Sequence, residues 1–285
     1  MICRKCNAEF NVSDRDLAFL KKVSPVIGEK KYEIPAPTLC PDCRHQRRLT
    51  WRSERKFYSR KCDKCTKDLI TIFYPDQTYK IYCKDCWWGD DWNALDSGRD
   101  YDFNRSFFEQ FEELMKATPL LYSWKIGDNE NSEFNNNASY MKNCFLMSSS
   151  NFIEDCYYSY YVNDSQDCVD CSSVKKSQIM YECLESIAGY NLKYCHNCVD
   201  CSNSWFLRNC KNCKDCFACA DMTQKQYCYF NEQLSKEDYE QKIKEFNSGS
   251  KQSTKEMLGR VYQHHLKFPN RFMIGEQNEN VTGNV

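Results

Sequence analysis

The sequence is poor in the residues from which common catalytic motifs are built. It contains only nine glycines and four histidines in 285 residues. The glycines form neither a phosphate-binding loop nor a nucleophile elbow, and the histidines have no metal or catalytic-triad spacing. We therefore expect a protein that is not an enzyme and that has no small-molecule substrate.

Long apolar runs are also missing. The apolar stretches are far shorter than the roughly 20 residues that a membrane-spanning helix requires, and the opening MICRKC does not form a secretory leader. The 39 basic and 40 acidic residues nearly cancel, so no net charge attracts the chain to a membrane or to nucleic acid. We expect a cytoplasmic protein without a membrane partner, in which the 21 cysteines remain thiols or bind metal.

Positive charge is concentrated near the beginning of the chain. Residues 1–84 contain 19 basic and 10 acidic residues, and residues 44–61, RHQRRLTWRSERKFYSRK, contain eight basic residues and one glutamate. Arginines on one helical face would suit a phosphate backbone, and interleaved aromatic rings could stack on unpaired bases. This basic stretch predicts contact with RNA or DNA, while contact with a protein and an inert surface are the alternatives. The predicted nucleic-acid-binding residues are Arg44, Arg47, Arg48, Trp51, Arg52, Arg55 and Lys56.

Eight cysteines form four C-x-x-C pairs within the first 86 residues. Two such pairs can place four thiolates around one tetrahedral zinc ion, and a four-thiolate site has no open position for water or substrate. The spacing therefore predicts about two structural Zn²⁺ ions, and buried free thiols are the alternative. The predicted ligands of the first ion are Cys3, Cys6, Cys40 and Cys43, and those of the second are Cys62, Cys65, Cys83 and Cys86.

The residues around these pairs predict short regular elements. Ser13 has the position and chemistry of a helix N-cap. The zinc-ribbon spacing of the second set predicts a hairpin with strands at 69–73 and 79–82. An apolar stripe over 107–115 predicts a docking helix that Pro119 ends.

The remaining thirteen cysteines share one sequence phase. All of them occupy positions divisible by three between Cys144 and Cys228, and the same phase is otherwise filled mainly by Ser, Met and Val. The other two phases carry the charged and aromatic residues. Asn or Asp often precedes these cysteines, and both tolerate the left-handed backbone of a tight corner. A period of three predicts a narrow solenoid whose small side chains point inward.

Two features of this solenoid stay open. Cysteine matches at offsets of 12 and of 15 residues number seven each, and 12 is favoured because such coils resemble the small insect antifreeze β-helices in architecture. The thiols are expected to fill the cramped axis as small apolar side chains. The alternative is a metal or redox protein in which they bind extra metal, hold an iron–sulfur cluster or perform thiol chemistry.

The predicted fold class is small α+β zinc-ribbon domains followed by an all-β solenoid, narrow and β-helix-like, with a capping helix that closes its open end. A second solenoid is predicted to start near the end of the chain, because IGEQNENVTGNV at 274–285 echoes IGDNENSEFNNN at 126–137. The predicted domains are a tandem zinc-ribbon region at 1–100, an amphipathic helix and connector at 101–134, the solenoid at 135–231, the capping helix at 232–247, and a linker with the second solenoid start at 248–285.

Several motifs together resemble a known family. MICRKCNAEF, IPAPTLCPDCRHQRRLTWR, YCKDCWWGDDW, GRDYDFNRSFFEQFEELM and KEDYEQKIKEF, with the cysteine coils, are similar to uncharacterised zinc-ribbon, cysteine-rich repeat proteins common in reduced-genome uncultured bacteria. The resemblance covers nearly the whole chain and implies zinc binding at the eight N-terminal cysteines. It implies no particular activity, so the expected function is that of a non-catalytic zinc-binding scaffold or interaction protein.

Overall fold

The structure is a computed structural model that describes residues 1–49, 56–246 and 249–270. The chain divides into two compact units, residues 1–53 and residues 54–285. The first unit contains one cluster of four cysteines, and the second contains the other cluster together with the solenoid. The predicted tandem zinc-ribbon region at 1–100 spans the boundary between these two units.

The first unit consists of short elements around its cysteine cluster. They are helix α1 (Asp14–Val23), strands β1 (Val26–Ile27) and β2 (Lys30–Lys31), and helix α2 (Pro41–Leu49). The predicted N-cap of α1 is confirmed: the Asp16 amide donates to the Ser13 hydroxyl at 3.2 Å, and the Ser13 amide donates to the Asp16 carboxylate at 2.8 Å. This reciprocal capping box satisfies amides that have no partner inside the helix.

The second unit begins with short elements around the second cysteine cluster. They are strands β3 (Tyr58–Lys61), β4 (Asp68–Thr71) and β5 (Ile81–Tyr82), helix α3 (Lys84–Trp87), a 3-10 helix (Ala94–Ser97), helix α4 (Phe107–Ala117) and strand β6 (Leu120–Leu121). β3 and β4 are antiparallel, whereas β5 pairs in parallel with β6. The predicted hairpin between 69–73 and 79–82 is therefore wrong, because each of its strands pairs with a different segment.

Helix α4 has the predicted position but not the predicted packing. It ends at Ala117, two residues before Pro119. Its aromatic face is open to solvent, since 56% of Phe107 and 78% of Phe108 are exposed, and Gln110 is the residue that the helix buries. Within the part of the chain that the structure describes, the aromatic part of the apolar stripe is therefore not docked, whereas Leu114 and Met115 at its end are half-buried.

Residues 125–229 form a parallel β-solenoid of about nine turns, which confirms the predicted fold class. Paired residues in successive coils are twelve positions apart, as in Tyr160–Ser172 and Gln166–Gln178, so the coil has the favoured length. The strands are β7 (Lys125–Glu130), β8 (Asn136–Lys142), β9 (Ser148–Glu154), β10 (Tyr160–Val169), β11 (Ser172–Lys175), β12 (Gln178–Tyr181), β13 (Leu184–Ile187), β14 (Tyr190–Lys193), β15 (Ser202–Trp205), β16 (Lys214–Phe217) and β17 (Gln226–Tyr229).

The solenoid starts earlier than the predicted boundary at 135. Strand β7 pairs in parallel with β8, but the offset between paired residues changes from 13 at Lys125–Ala138 to 12 at Asn129–Met141. Because this shift interrupts the period of three, the first coil has no clear signature in the sequence.

A left-handed backbone position turns the chain at each corner of the solenoid. Every third residue from Asn137 to Phe230 has a φ between 47° and 59°. From Ala138 to Cys219, the residue that follows each corner is buried in the axis. Asn and Asp occupy many corners, as predicted, but Tyr, Phe and Ile occupy others at a cost of about 1 kcal/mol each. Each coil thus has four sides of three residues.

Two helices cover one side of the last coils. They are α5 (Lys236–Lys244), which follows strand β18 (Glu232–Gln233), and α6 (Lys251–His265). The ring of Phe246 packs against Trp205, Phe206 and Phe217 with centroids 5.4 to 5.9 Å apart. The predicted capping helix is thus present as α5, whose buried Tyr239 contacts Tyr227 of the last parallel strand, β17, with ring centroids 5.9 Å apart. At the end of the solenoid, β18 turns back and pairs antiparallel with β17.

Helix α6 occupies part of the predicted linker. Ser250 caps it by accepting a hydrogen bond from the Ser253 amide at 3.2 Å, and Met257 and Val261 are buried against the solenoid side. The linker prediction is therefore wrong from residue 251 onward. The predicted start of a second solenoid, at 274–285, lies outside the described residues. None of the helices that the structure describes is long and apolar enough to cross a bilayer.

Candidate metal centres

The first cysteine cluster has the dimensions of a four-thiolate metal site. The sulfurs of Cys3, Cys6, Cys40 and Cys43 all lie within 4.8 Å of one another, and the Cys6 and Cys40 sulfurs are 3.7 Å apart. Metal–sulfur bonds of about 2.3 Å in a tetrahedron would place the sulfurs about 3.8 Å apart. The predicted pairing of these two C-x-x-C motifs is confirmed, and the cluster could hold one metal ion.

One half of this cluster is a tight turn and the other half is a helix N-terminus. In the turn, the Asn7 amide donates to the Cys3 carbonyl at 3.0 Å, and Asn7 adopts a left-handed φ of 60° that asparagine tolerates. At the start of α2, the Cys43 amide donates to the Cys40 sulfur at 3.5 Å.

The second cluster repeats this construction with different residues. The sulfurs of Cys62, Cys65, Cys83 and Cys86 lie within 4.8 Å of one another, and those of Cys65 and Cys83 are 3.7 Å apart. Thr66, with a φ of 62°, closes the turn after Cys65, and the Cys86 amide donates to the Cys83 sulfur at 3.4 Å where α3 begins. Both predicted sets of four cysteines are therefore brought together in the same way.

The thiols within each cluster differ in acidity. Backbone amides of Cys40 and Cys6 donate to the Cys3 sulfur and lower its pKa to about 6. Burial raises the pKa of Cys43 to about 12, with further contributions from the neighbouring thiols. A bound dication would lower the pKa of all four thiols, because its charge favours the thiolate form of each of them. The donor set therefore fits a soft or borderline metal cation.

Aromatic side chains pack around the second cluster. The Trp92 indole N–H donates to the Trp87 carbonyl at 2.9 Å, and the Trp92 ring contacts Tyr82 with centroids 5.6 Å apart. The Lys64 ammonium lies 5.6 Å from the Tyr82 ring centroid and pairs with Asp91. These contacts hold the Cys62–Cys65 turn against the chain that follows α3.

The basic stretch is only partly described. Helix α2 carries Arg44, Arg47 and Arg48 in exposed positions directly after the Cys40–Cys43 pair, and Lys56 is exposed in the second unit. Trp51, Arg52 and Arg55 lie outside the described residues. The helical start of this stretch is thus confirmed over Pro41–Leu49, while its binding role stays a prediction.

The thirteen solenoid cysteines all make the same hydrogen bond. Each thiol donates to the backbone carbonyl two residues earlier, at sulfur–oxygen distances of 3.2 to 3.6 Å. Six inward serines donate to the equivalent carbonyl at 2.7 to 3.2 Å. Cysteine and serine are therefore equivalent components of one hydrogen-bond pattern that runs along the axis.

No third cluster of metal ligands forms among the described residues. Only the two N-terminal sets bring three or more Cys, His, Asp or Glu ligand atoms within 4.8 Å of one another in the described part of the chain. Cys210, Cys213, Cys216 and Cys219 belong to one coil, but each lies on a different side of it. This arrangement is that of packed side chains.

Two surface features have no counterpart in the predicted site residues. Tyr140 and Phe152 are stacked in adjacent coils, with centroids 4.7 Å apart and an interplanar angle of 4°. They lie in a shallow groove of about 890 Å³ along one side of the solenoid. The signal in the sequence is two aromatic residues spaced by one coil, and it becomes visible only when the coil length is known.

Comparison with known proteins gives no functional assignment. No protein-family model matches the chain, and no curated protein matches it. Function is therefore inferred from the two cysteine clusters, the exposed arginines and the solenoid surface.

Proposed function

We propose that the protein is a non-catalytic zinc-binding interaction protein. The observation that carries this proposal is the pair of closed four-cysteine clusters, each with sulfurs spaced as around a tetrahedral ion. Zn²⁺ is the ion best suited to four thiolates in a structural site, and such a site has no open position for catalysis. Two bound zinc ions would stabilise segments that have a small apolar core of their own: around the first cluster, that core consists of Cys3, Cys40 and Cys43 with the partly buried Phe10 and Leu39.

The proposed partner of the first cluster is RNA or DNA. Arg44, Arg47 and Arg48 follow the Cys40–Cys43 pair on α2, so a metal ion at this pair would anchor the helix that carries them. Arginine suits phosphate because its planar guanidinium makes two parallel hydrogen bonds to one anion. The excess of 19 basic over 10 acidic residues in 1–84 favours an anionic partner.

The solenoid supplies the scaffold in this proposal. Its thiols are buried, and all thirteen hydrogen-bond to backbone carbonyls, which supports a role in packing. The family resemblance of the sequence motifs agrees with a zinc-binding scaffold. Thiol chemistry or extra metal in the axis is the competing proposal, and metal analysis separates the two.

Metal content per chain tests the zinc proposal directly. We expect elemental analysis of protein purified without oxygen to give about two zinc ions per chain and an absorption spectrum without visible bands. Cys43→Ser should remove one ion, whereas Cys216→Ser, a matched change in the solenoid axis, should remove none. Iron with a brown colour, or metal that disappears in Cys216→Ser, would establish the solenoid thiols as the binding site.

Nucleic-acid binding is tested by charge reversal on α2. We expect single-stranded RNA or duplex DNA to bind with an affinity that falls steeply as salt is raised, and the double variant Arg44→Glu, Arg48→Glu to weaken binding at least tenfold. Lys242→Glu, an exposed change on α5, is the control and should bind like the wild type. Binding to neither nucleic acid, with the α2 variant unchanged, would favour a protein partner.

A further inference from the structure

The solenoid carries an open groove that the zinc clusters and the basic stretch do not use. It is about 890 Å³ in volume and runs along one side of six consecutive coils, from Asp128 to Tyr190. Its floor consists of the buried axial residues, such as Ile153 and Gly189, and its walls are the residues before and after them. The groove is therefore as straight and regular as the coils.

One end of the groove is an aromatic platform. Tyr140 and Phe152 are stacked in parallel, yet 48% of Tyr140 and 58% of Phe152 are exposed. Gly127 makes room for this stack: a side chain there would place its Cβ 2.5 Å from the Tyr140 ring, and its φ of 71° already favours glycine. Tyr140 thus packs between Gly127 and Phe152, and the ring face that remains open at the surface is the one that Phe152 turns away from Tyr140.

A third aromatic ring lies further along the same groove. Tyr190 is 48% exposed and lies three coils beyond Glu154 in the same column of the solenoid. With parallel strands about 4.8 Å apart, this separation is about 14 Å. The side chains between the two platforms are polar, and they include Gln166 and Gln178, which hydrogen-bond to each other at 3.2 Å.

The groove offers side chains but no free backbone to a ligand. The backbone amides and carbonyls on this side bond between coils: the Gln166 amide donates to the Ser177 carbonyl at 3.1 Å, and the Gln178 amide donates to the Gly189 carbonyl at 2.9 Å. An extended peptide binds to a sheet mainly through backbone hydrogen bonds at an open edge, and this groove lies on a face. A ligand must therefore be recognised by ring stacking and by hydrogen bonds to side chains alone.

The charge of the groove opposes an anionic ligand. Its lining contains four carboxylates and two ammonium groups, and one of the latter, Lys142, is paired with Glu154 at 2.9 Å. This excess of negative charge repels phosphate groups. The exposed Asp128 and Asp164 can instead accept hydrogen bonds from neutral hydroxyl groups.

We propose that this groove, on the outer surface of the solenoid, binds a linear, uncharged oligosaccharide whose chain runs parallel to the solenoid axis. A pyranose ring presents flat C–H faces that stack on aromatic rings and hydroxyl edges that bond to carboxylates and amides. One sugar is stacked on the face of Phe152 that Tyr140 does not cover and another on Tyr190, and the sugars between them bond to the polar middle. This site involves neither the cysteine clusters nor α2. A negative result for oligosaccharide binding would therefore leave the proposed function untouched, and a negative result for the proposed function would leave this site untouched.

Calorimetric titration of the full chain with neutral hexasaccharides tests the proposal. The probes are cellohexaose, maltohexaose and chitohexaose, followed by an array of neutral linear glycans. We expect saturable binding of at least one of them, about tenfold weaker in Phe152→Ala, the loss expected for one stacking contact. Phe152→Tyr should restore binding, and Tyr161→Ala, which removes an exposed ring on another side of the solenoid, should leave it unchanged.

The alternatives give distinct results in the same titration. Binding of hexalysine that is lost in Phe152→Ala would show that the groove takes a basic peptide, and binding of poly(U) that is lost in Phe152→Ala would show that it takes nucleic acid. Absence of binding to every neutral glycan on the array would also overturn the proposal. Circular dichroism of each variant verifies that the solenoid is folded, and Tyr140→Ala provides a second test of the platform.

Discussion

The Ser150 hydroxyl accepts a hydrogen bond from the Val162 amide, one coil further along the axis, at 3.0 Å. The same hydroxyl donates to the Ser148 carbonyl at 3.0 Å. Cys195 repeats both contacts, since its sulfur accepts from the Leu207 amide at 3.5 Å and donates to the Lys193 carbonyl at 3.4 Å. The inward cysteines therefore have two roles: they are small enough for the axis, and they pair polar backbone groups inside it.

Substitution of Cys195 distinguishes these two roles. Cys195→Ser keeps a donor and an acceptor in place, so we expect the free energy of unfolding to fall by less than about 1 kcal/mol. Cys195→Val retains an apolar side chain of similar size but leaves the Leu207 amide without this acceptor, at a cost of about 1–3 kcal/mol. Urea unfolding of both variants measures the difference. If Cys195→Val were the more stable variant, the hydrogen-bonding role would be wrong.

The sequence predicted the inward phase of the solenoid but not its full course. A period of three identifies inward residues whatever the coil length, so equal numbers of cysteine matches at 12 and 15 could not decide between them. Backbone pairing such as Cys216–Cys228 decides it. The strand partners of residues 69–73 were missed for a related reason: β4 pairs with β3 across the Cys62 turn, a choice that depends on packing rather than on local propensity.

The two cysteine clusters were predictable because C-x-x-C spacing limits where two sulfurs can lie. The groove was not, because it depends on which residues come into register between coils. Tyr140 and Phe152 stack only when the coil has twelve residues, as their pairing segments Ser139–Asn151 and Met141–Ile153 require. Local cysteine spacing was therefore enough to predict the two clusters, whereas the groove depends on the register between coils, which only the structure gives.

Corner residues give a test of backbone strain. Ile179 has a φ of 59°, an unfavourable value for a β-branched residue, whereas Asn191 occupies the next corner of the same column and donates from its side-chain amide to Asn203 at 3.0 Å. We expect Ile179→Asn to raise the free energy of unfolding by about 1 kcal/mol, and Asn191→Ile to lower it. Thermal unfolding of both variants measures the effect. Lower stability of Ile179→Asn would show that packing of the Ile179 side chain outweighs the strain.

The contact between α6 and the solenoid should weaken in acid. Burial, with a smaller contribution from the charge of Arg208, lowers the pKa of His265 to about 4 from a usual value of 6.5. Between these two values the imidazole binds a proton in the unfolded chain but not in the folded chain. The contribution of neutral His265 to the free energy of unfolding is therefore fully present above about pH 6.5 and is lost as the pH falls toward 4. The loss is about 2 kcal/mol after allowance for the partial exposure of the ring.

His265→Gln isolates this contribution because it removes the titrating group and keeps a polar side chain. We expect hydrogen exchange in α6 (Lys251–His265) of the wild-type protein to accelerate between pH 6.5 and 4.5, after correction for the intrinsic rate, and that of the variant to change less. Equal pH dependence in both proteins would mean that other groups, such as His264, control the contact.

Deletion of whole coils tests the equivalence of the coils. Removal of residues 174–185 deletes twelve positions and joins Ser173 to Ser186, which preserves both the inward phase and the columns of stacked corners. We expect this variant to fold with one coil fewer, because each coil contacts mainly its two neighbours. Removal of residues 174–184 is the matched control, since it differs by one residue but turns the next axial positions outward.

The two deletion variants should therefore differ greatly in stability, although their lengths differ by one residue. In the variant that lacks residues 174–184, Glu185 would take the inward position of Val174 and bury a carboxylate. The free-energy cost of burying this charge exceeds the stability of an ordinary domain. Circular dichroism and the cooperativity of urea unfolding measure the outcome, and an unchanged metal content shows that the cysteine clusters are intact in both. If both deletions folded equally well, the axial phase would not be what holds the coils in register.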